Sequence, residues 1–256
     1  MAIETSGKSG SVAILRSHPR SDSRSSVCES EDLPQQWGSA KTLAPAIHRL
    51  LNRLSLDSSA LNAIALITGP GSFTGLRVGV ATAKAMAYAL RIPIVEVDTL
   101  DTIAHQNDQE PRLLHVILDA YRGQLFYASY LAKGPGSIEK LTHTMIVDME
   151  KLVESISDAA SLSDQIHFYG SGCSRLQKLI HDQDAFGGRD MRSISSRFAW
   201  NATGRSIPQA ETVARLGHQQ LVLGKTLDPM AVMPHYYRAS AAEETIAASR
   251  GALGLG

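Results

Sequence analysis

The stretch Leu66-Ile67-Thr68-Gly69-Pro70-Gly71-Ser72-Phe73-Thr74-Gly75-Leu76-Arg77-Val78-Gly79 joins an apolar run to a long Ala-rich segment through a glycine-dense turn. It reads as a strand feeding a helix. Glycine at 69, 71 and 75 can adopt positive φ and leaves amide N–H groups uncovered at a helix start, the end where the macrodipole favours an anion. The Walker pattern is absent: the second glycine of Gly69…Gly75 falls one residue late, and Leu76 stands where a lysine is required. The dinucleotide fingerprint is absent too, because Thr74 occupies its third glycine position. Taken alone, the loop admits two readings, an anion cradle or a tight turn without ligand.

A second copy of the arrangement supplies the fold. Near the start, Ala2-Ile3-Glu4-Thr5-Ser6 passes through Gly7 and Gly10 into Ser11-Val12-Ala13-Ile14-Leu15, a strand ending in a carboxylate followed by a returning strand. Later, His115-Val116-Ile117-Leu118-Asp119 turns at Arg122-Gly123 into Gln124-Leu125-Phe126-Tyr127-Ala128-Ser129-Tyr130. Ile166-His167-Phe168-Tyr169-Gly170-Ser171-Gly172-Cys173 then echoes Ala65 to Ser72, each run leading into a helix-like segment. Two α/β lobes, each with a carboxylate-tipped hairpin and a later G-x-G turn, predict a duplicated domain around a cleft, the pattern of actin, sugar kinases and Hsp70-type ATPases.

The residues from Gly69 to Gly79, with Ala81-Thr82-Ala83-Lys84 and Ile92-Pro93-Ile94-Val95-Glu96-Val97-Asp98-Thr99-Leu100, resemble the TsaB (YeaZ) family. The likeness extends to Ala2–Ser6 with Gly10–Ala13, to Asp119-Ala120-Tyr121-Arg122-Gly123-Gln124-Leu125-Phe126-Tyr127, and to Pro234-His235-Tyr236-Tyr237-Arg238. The resemblance implies an actin-like (ASKHA, ribonuclease H-like) two-lobe fold and a role in making tRNA threonylcarbamoyladenosine. It implies a non-catalytic subunit that pairs with a TsaD-like catalytic subunit, or with a second copy of itself when that partner is absent. A TsaE-like ATPase completes the assembly, and tRNA is reached through the complex. The fold also implies ATP or ADP in a degenerate cleft lined by Glu4, Gly69, Gly71, Ser72, Gly75, Asp119, Gly170 and Gly172.

Several residues bear on catalysis. Relatives that hold a metal do so through His-x-x-x-His, and none of the nine histidines here has another four residues away. Cys28 and Cys173 form neither a C-x-x-C pair nor a zinc pattern. Ser72 lies in Gly-Ser-Phe, outside a G-x-S-x-G elbow. No catalytic residue and no metal ligand is assigned. The chain also departs from the family pattern: Glu4 replaces an aspartate, Tyr121 an arginine and Gln124 an acid. Gly38-Ser39-Ala40-Lys41 lacks a customary histidine. The chain begins about three residues short of the usual start, roughly 10 Å of strand, which leaves a start codon farther upstream open.

Composition excludes several classes. The 256 residues balance 25 basic against 25 acidic side chains, so no global basic field attracts RNA. No run of 18 apolar residues and no signal-peptide order is present, which predicts a cytoplasmic protein with reduced thiols. The Ser-rich basic segment Arg16–Ser26 reads as a hairpin loop with a possible RNA contact, and Gly187-Gly188 and the tail 251–256 read as loops.

Two helices carry the expected interface. In 41–54, Leu43, Ile47, Leu50, Leu51 and Leu54 form one stripe, with Pro45 placed in the first turn. In 76–90, Gly79, Ala81, Ala83, Ala85, Ala87 and Ala89 leave small groups around most of the circumference. Such a helix needs cover on more than one side. Leu43, Ile47, Leu50, Val80, Ala83, Ala87 and Leu90 are the expected contacts. Residues 1–105 are expected to form the first lobe and 106–224 the second, including a helix at 209–223. Residues 225–256 return to the first lobe and bring Tyr236, Tyr237 and Arg238 near the cleft. Besides the subunit reading, an ATP-dependent sugar-kinase-like phosphotransferase and a glycoprotease-like peptidase remain as alternatives.

Overall fold

The computed structural model describes residues 1–16, 27–34, 38–159, 165–181, 196–201 and 205–237. The segments around Ser17–Ser26, Gly187-Gly188, Arg238 and the tail lie outside the described residues. The first sheet holds β1 (Ala2–Glu4), β2 (Ser11–Arg16), β3 (Val27–Asp32), β4 (Ile64–Gly69) and β5 (Ile94–Asp98), in the order β3-β2-β1-β4-β5. β1 to β3 form an antiparallel meander, with Ala2 opposite Ala13, and β4 and β5 run parallel to β1. The second sheet contains β6 (Arg112–Asp119), β7 (Gln124–Gly134), β8 (Ser137–Lys140), β9 (Met145–Asp148), β10 (Ile166–Tyr169) and β11 (Phe198–Asn201). Its order, β8-β7-β6-β10-β11, repeats the first, and β9 pairs the other end of β7. The chain is thus a duplicated actin-like α/β fold.

Helices follow from the same repeat. Parallel neighbours need a crossover, and α2 (Phe73–Leu90) and α5 (Cys173–His181) supply it after β4 and β10. The alternation of the strands decides which helix each residue meets. Ile3, Val12, Ile64 and Leu66 face α1 (Ser39–Arg53) and α2, joined there by Leu43, Leu50, Val80 and Ala83. Pro45 falls in the second turn, because α1 starts at Ser39; it is exposed there and deprives the Lys41 carbonyl of a donor. In the second lobe Ile117, Tyr127 and Phe168 face α4 (Met149–Ala159) and α5.

The opposite faces are covered by exchanged helices. α3 (Thr99–His105) follows β5 in sequence, yet Leu100, Ile103 and Ala104 pack on Leu114, Val116, Ala128 and Tyr130 of the second sheet. α6 (Ala210–Val222) follows the second sheet, yet Ala210, Val213, Ala214 and Leu216 pack on Ala2, Ala13, Ala65 and Ile67 of the first. A side chain at Gly217 would overlap the Ala65 methyl, which is how closely α6 lies. The expected division at 105/106 and 224/225 is therefore corrected: the chain returns to the first lobe at Ala210, and α3 belongs by packing to the second. Leu223, the last residue of the expected helix, is its C-cap and is 67% exposed.

Candidate functional site

The cleft-side residues sit where β1, β4, β6 and β10 end. Glu4 closes β1 with no exposed surface; its Oε1 accepts both the backbone N–H and the hydroxyl of Ser6 at 2.6 Å. Its Oε2 has no hydrogen-bond partner among the described residues. Burial pushes the carboxyl up to about 7, against the opposing pull of the Ser6 hydrogen bonds. At the equivalent position of the second lobe, Asp119 Oδ1 accepts from Arg175 of α5 at 2.6 Å and from the Tyr121 N–H at 2.8 Å. Tyr121 and Arg122 follow in the left-handed region, at φ 60° and 50°.

The two G-x-G turns do occupy matching places, between β4 and α2 and between β10 and α5. Gly69 adopts the positive φ that the sequence suggested (137°), as does Gly170 at the matching place (111°), whereas Gly71 and Gly75 do not; these two are glycines because the Ser6 and Thr5 backbone approaches too closely for a Cβ. The peptide bond between Gly69 and Pro70 is cis. Ser72 caps α2, its hydroxyl accepting from the Gly75 N–H at 3.3 Å, and its own N–H donates to the Ser6 carbonyl at 2.7 Å. A side chain at Gly75 would overlap the Thr5 carbonyl, so the glycine admits the β1–β2 turn. In the second lobe the corresponding backbone approach is at Gly170, where a Cβ would overlap the Ile117 carbonyl of β6.

These residues do not fit a nucleotide with its metal. Glu4 is buried against Ser6 and its carboxyl titrates near neutrality, while Asp119 is committed to Arg175. The start of α2 is overlaid by the chain's own residues: Tyr236 lies 4.9 Å from the Phe73 ring, and the Arg77 guanidinium sits 3.8 Å above that ring. Among the described residues no three His, Cys, Asp or Glu side chains come together as a metal site requires.

The expected interface residues need a correction. Leu43, Ile47, Leu50, Val80, Ala83 and Ala87 are all buried in the core beneath α1 and α2, and Leu90 is half-buried against it. Gly75, Gly79, Ala83 and Ala87 lie on the side of α2 that approaches the sheet, where a side chain at Gly79 would overlap Thr5 Oγ1. The outward side carries Thr74, Arg77, Ala81, Ala85, Tyr88 and Ala89 instead.

A junction between the lobes was missed. Asp98 ends β5 and caps α3, its Oδ1 accepting from Leu100 N–H at 2.7 Å, while Oδ2 accepts from the Thr144 hydroxyl at 3.0 Å. Burial, and then the Asp101 charge, raise its carboxyl above the usual range. Asp101 Oδ1 accepts from Tyr130 at 2.7 Å and Lys140 at 2.6 Å, both on the second sheet. Tyr237 reaches the same place: its hydroxyl lies 3.5 Å from Asp98 Oδ2 and its ring meets Phe126 edge-on at 5.8 Å. Tyr237 thus joins the end of β5 to β7 at this junction. The sequence offered one signal for the junction, an Asp-Thr pair opening an apolar helical run, which is a capping signature.

Comparison with known proteins agrees with this architecture. A family model described as TsaD, tRNA N6-adenosine threonylcarbamoyltransferase, matches residues 37–243. The tRNA threonylcarbamoyladenosine biosynthesis protein TsaB of Bacillus subtilis is 27% identical over 243 residues, covering 95% of each chain. TsaB of Escherichia coli is 33% identical over 91 residues, 34% of this chain and 39% of that one. The crystal structure of a Pseudomonas aeruginosa protein with similarity to peptidase YeaZ superposes with a TM-score of 0.71 at 23% identity, covering 93% of this chain and 98% of that one. YeaZ from Pseudomonas aeruginosa superposes at 0.69 with 21% identity, over 92% and 97%. With a matching model over most of its length and a relative aligned nearly end to end, the chain belongs to the family that model describes, in its TsaB (YeaZ) branch.

Proposed function

We propose that this protein is a non-catalytic subunit of the machinery that forms threonylcarbamoyladenosine in tRNA, working by binding a TsaD-like catalytic subunit. One observation carries the reading: each cleft carboxylate is already engaged within the chain, Glu4 by Ser6 and Asp119 by Arg175. Phosphoryl transfer needs carboxylates free to hold metal and phosphate, so the fold's customary chemistry has no acid available at either strand end. Support for the pathway comes from the relatives, named as biosynthesis proteins for this modification. A TsaE-like ATPase and the tRNA join through the catalytic subunit, and the complex works in the cytoplasm.

The test is co-purification with the TsaD-like protein of the same organism, followed by a tRNA threonylcarbamoylation assay with each protein alone and with both. The expected result is product only with the pair. ATP or sugar turnover by this chain alone, with no association, would replace the subunit reading by the kinase one.

A further inference from the structure

The turn between β6 and β7 holds two bulky residues in a conformation that they disfavour. Among the described residues, four that are not glycine take positive φ. Ser55 and Arg91 close α1 and α2, where helices commonly end in that conformation. Tyr121 (φ 60°) and Arg122 (φ 50°) stand side by side, and Gly123 (φ 79°) follows them. The Gln124 N–H donates to the Tyr121 carbonyl at 3.0 Å, so Arg122 and Gly123 form the centre of the hairpin turn, a place that Asn-Gly or Asp-Gly fills at lower cost. A bulky side chain at positive φ costs free energy. The hairpin at the matching place in the first lobe turns through Thr5 to Gly10 with no residue at positive φ, so the duplicated fold does not demand it.

Contacts from three elements fix the turn. The Tyr121 N–H donates to Asp119 Oδ1 at 2.8 Å, and Arg175 of α5 holds that carboxylate. The Gly123 carbonyl accepts from the Met149 N–H of α4 at 3.1 Å, and Gln124 Nε2 donates to Asp148 Oδ1 of β9 at 3.0 Å. Strain persists where the surroundings over-determine it, and such places cluster at functional sites. Yet the two side chains bury little: Tyr121 is 70% exposed, and Arg122 is exposed next to it. We infer that Tyr121 and Arg122 form a contact for the RNA substrate, the ring stacking on one unpaired base and the guanidinium meeting an adjoining phosphate. The inference rests on the subunit reading, which brings RNA to this chain, and names the residues that meet it.

The setting favours RNA over a protein. A protein interface needs an apolar centre, whereas the bracing segments expose Asp148, Glu150, Lys151 and Ser171. An unpaired base needs only a flat ring to lie on, and every base has such a face. Stacking also works without a basic field, which a chain balanced at 25 basic and 25 acidic side chains lacks. The fixed turn spares the entropy that a mobile loop would lose on binding.

The test is made on the complex with the TsaD-like protein. A photoreactive benzoylphenylalanine in place of Tyr121 is expected to crosslink to tRNA on irradiation. Tyr121→Gly, which relieves the turn, is expected to melt no lower than wild type and to raise the KM for tRNA about tenfold at unchanged kcat. Tyr121→Phe keeps the ring and is expected to stay within about twofold of wild type. Arg122→Gln is expected to reduce the salt dependence of tRNA binding by about one phosphate contact. A crosslink to a protein subunit in place of tRNA, or an unchanged KM in Tyr121→Gly, overturns the inference and leaves the subunit reading standing. Protection from crosslinking by free AMP as effective as that by tRNA assigns the ring to a mononucleotide and overturns it as well. If no complex forms, the subunit reading falls, and crosslinking of the chain alone to a stem-loop RNA decides the inference: a crosslink sustains it and none overturns it.

Discussion

Ser6 folds back on Glu4, its N–H and hydroxyl both donating to one carboxylate oxygen at 2.6 Å, so the acid at the tip of the first hairpin is closed off from solvent by the next turn of its own strand. The relationship turns a residue type associated with metal and phosphate into a buried structural group. It has a measurable cost.

Because the Glu4 carboxyl is raised from 4.5 to about 7, the native state holds a proton that the unfolded chain releases between those values. Stability from this group is present below about pH 4.5 and lost as pH rises through 7, a change of about 3 kcal/mol. Glu4→Gln keeps a carbonyl oxygen for Ser6 and removes the ionisation. It is expected to match wild type near pH 4.5 and to exceed it by up to about 3 kcal/mol at pH 8, measured by urea unfolding at both values.

His115 has the opposite sign. It is buried between Tyr127 and Phe168, with Nδ1 3.0 Å from the Tyr127 hydroxyl, and burial lowers its pKa from 6.5 to about 4. A lowered value means that stability is present above pH 6.5 and lost as pH falls through 4, again by about 3 kcal/mol. His115→Phe is expected to flatten the acid limb of the stability profile. Thermal melts from pH 4 to 7 check this, and an unchanged acid limb would remove His115 as its source.

The faces of α2 are separable by substitution. Ala87 has no exposed surface, while Ala85 faces outward. Ala87→Arg is expected to destabilise by about 3 kcal/mol or more, by overpacking and by burying an unpaired charge. Ala85→Arg is expected to stay within about 0.5 kcal/mol of wild type. Equal melting temperatures for the two variants would contradict the orientation of the helix.

His235 pairs with Glu96 at 3.5 Å, and that contact raises its pKa above 6.5. The pairing therefore stabilises below about pH 6.5 and fades as pH rises through the raised value. Since the His235 N–H also donates to the Thr68 carbonyl at 2.8 Å, amide protection at His235 is expected to fall between pH 6 and 8 once intrinsic exchange is corrected. Glu96→Gln is expected to abolish that trend.

Much of this architecture was legible in the residues because it is local. The apolar run at 64–69, the glycines at 69, 71 and 75, and the hairpins ending at Glu4 and Asp119 each declare a strand, a turn and its register through short-range chemistry. Their recurrence declares the duplication. Segments such as Val27–Asp32, with four polar residues in six, became strands only by pairing with β2; edge position, which no local pattern encodes, decided them.

What the sequence by itself determined was the repeat, the family and the glycine turns, since periodicity and φ preference act within a few residues. The exchange of α3 and α6 between the lobes, the burial of Glu4, the closure of Asp119 by Arg175, and the inward turn of Ala83 and Ala87 were decided by the tertiary structure alone. An alanine or a carboxylate reads alike whichever surface it meets. Only the packing of distant segments sets which face loses its water and which charge finds a partner.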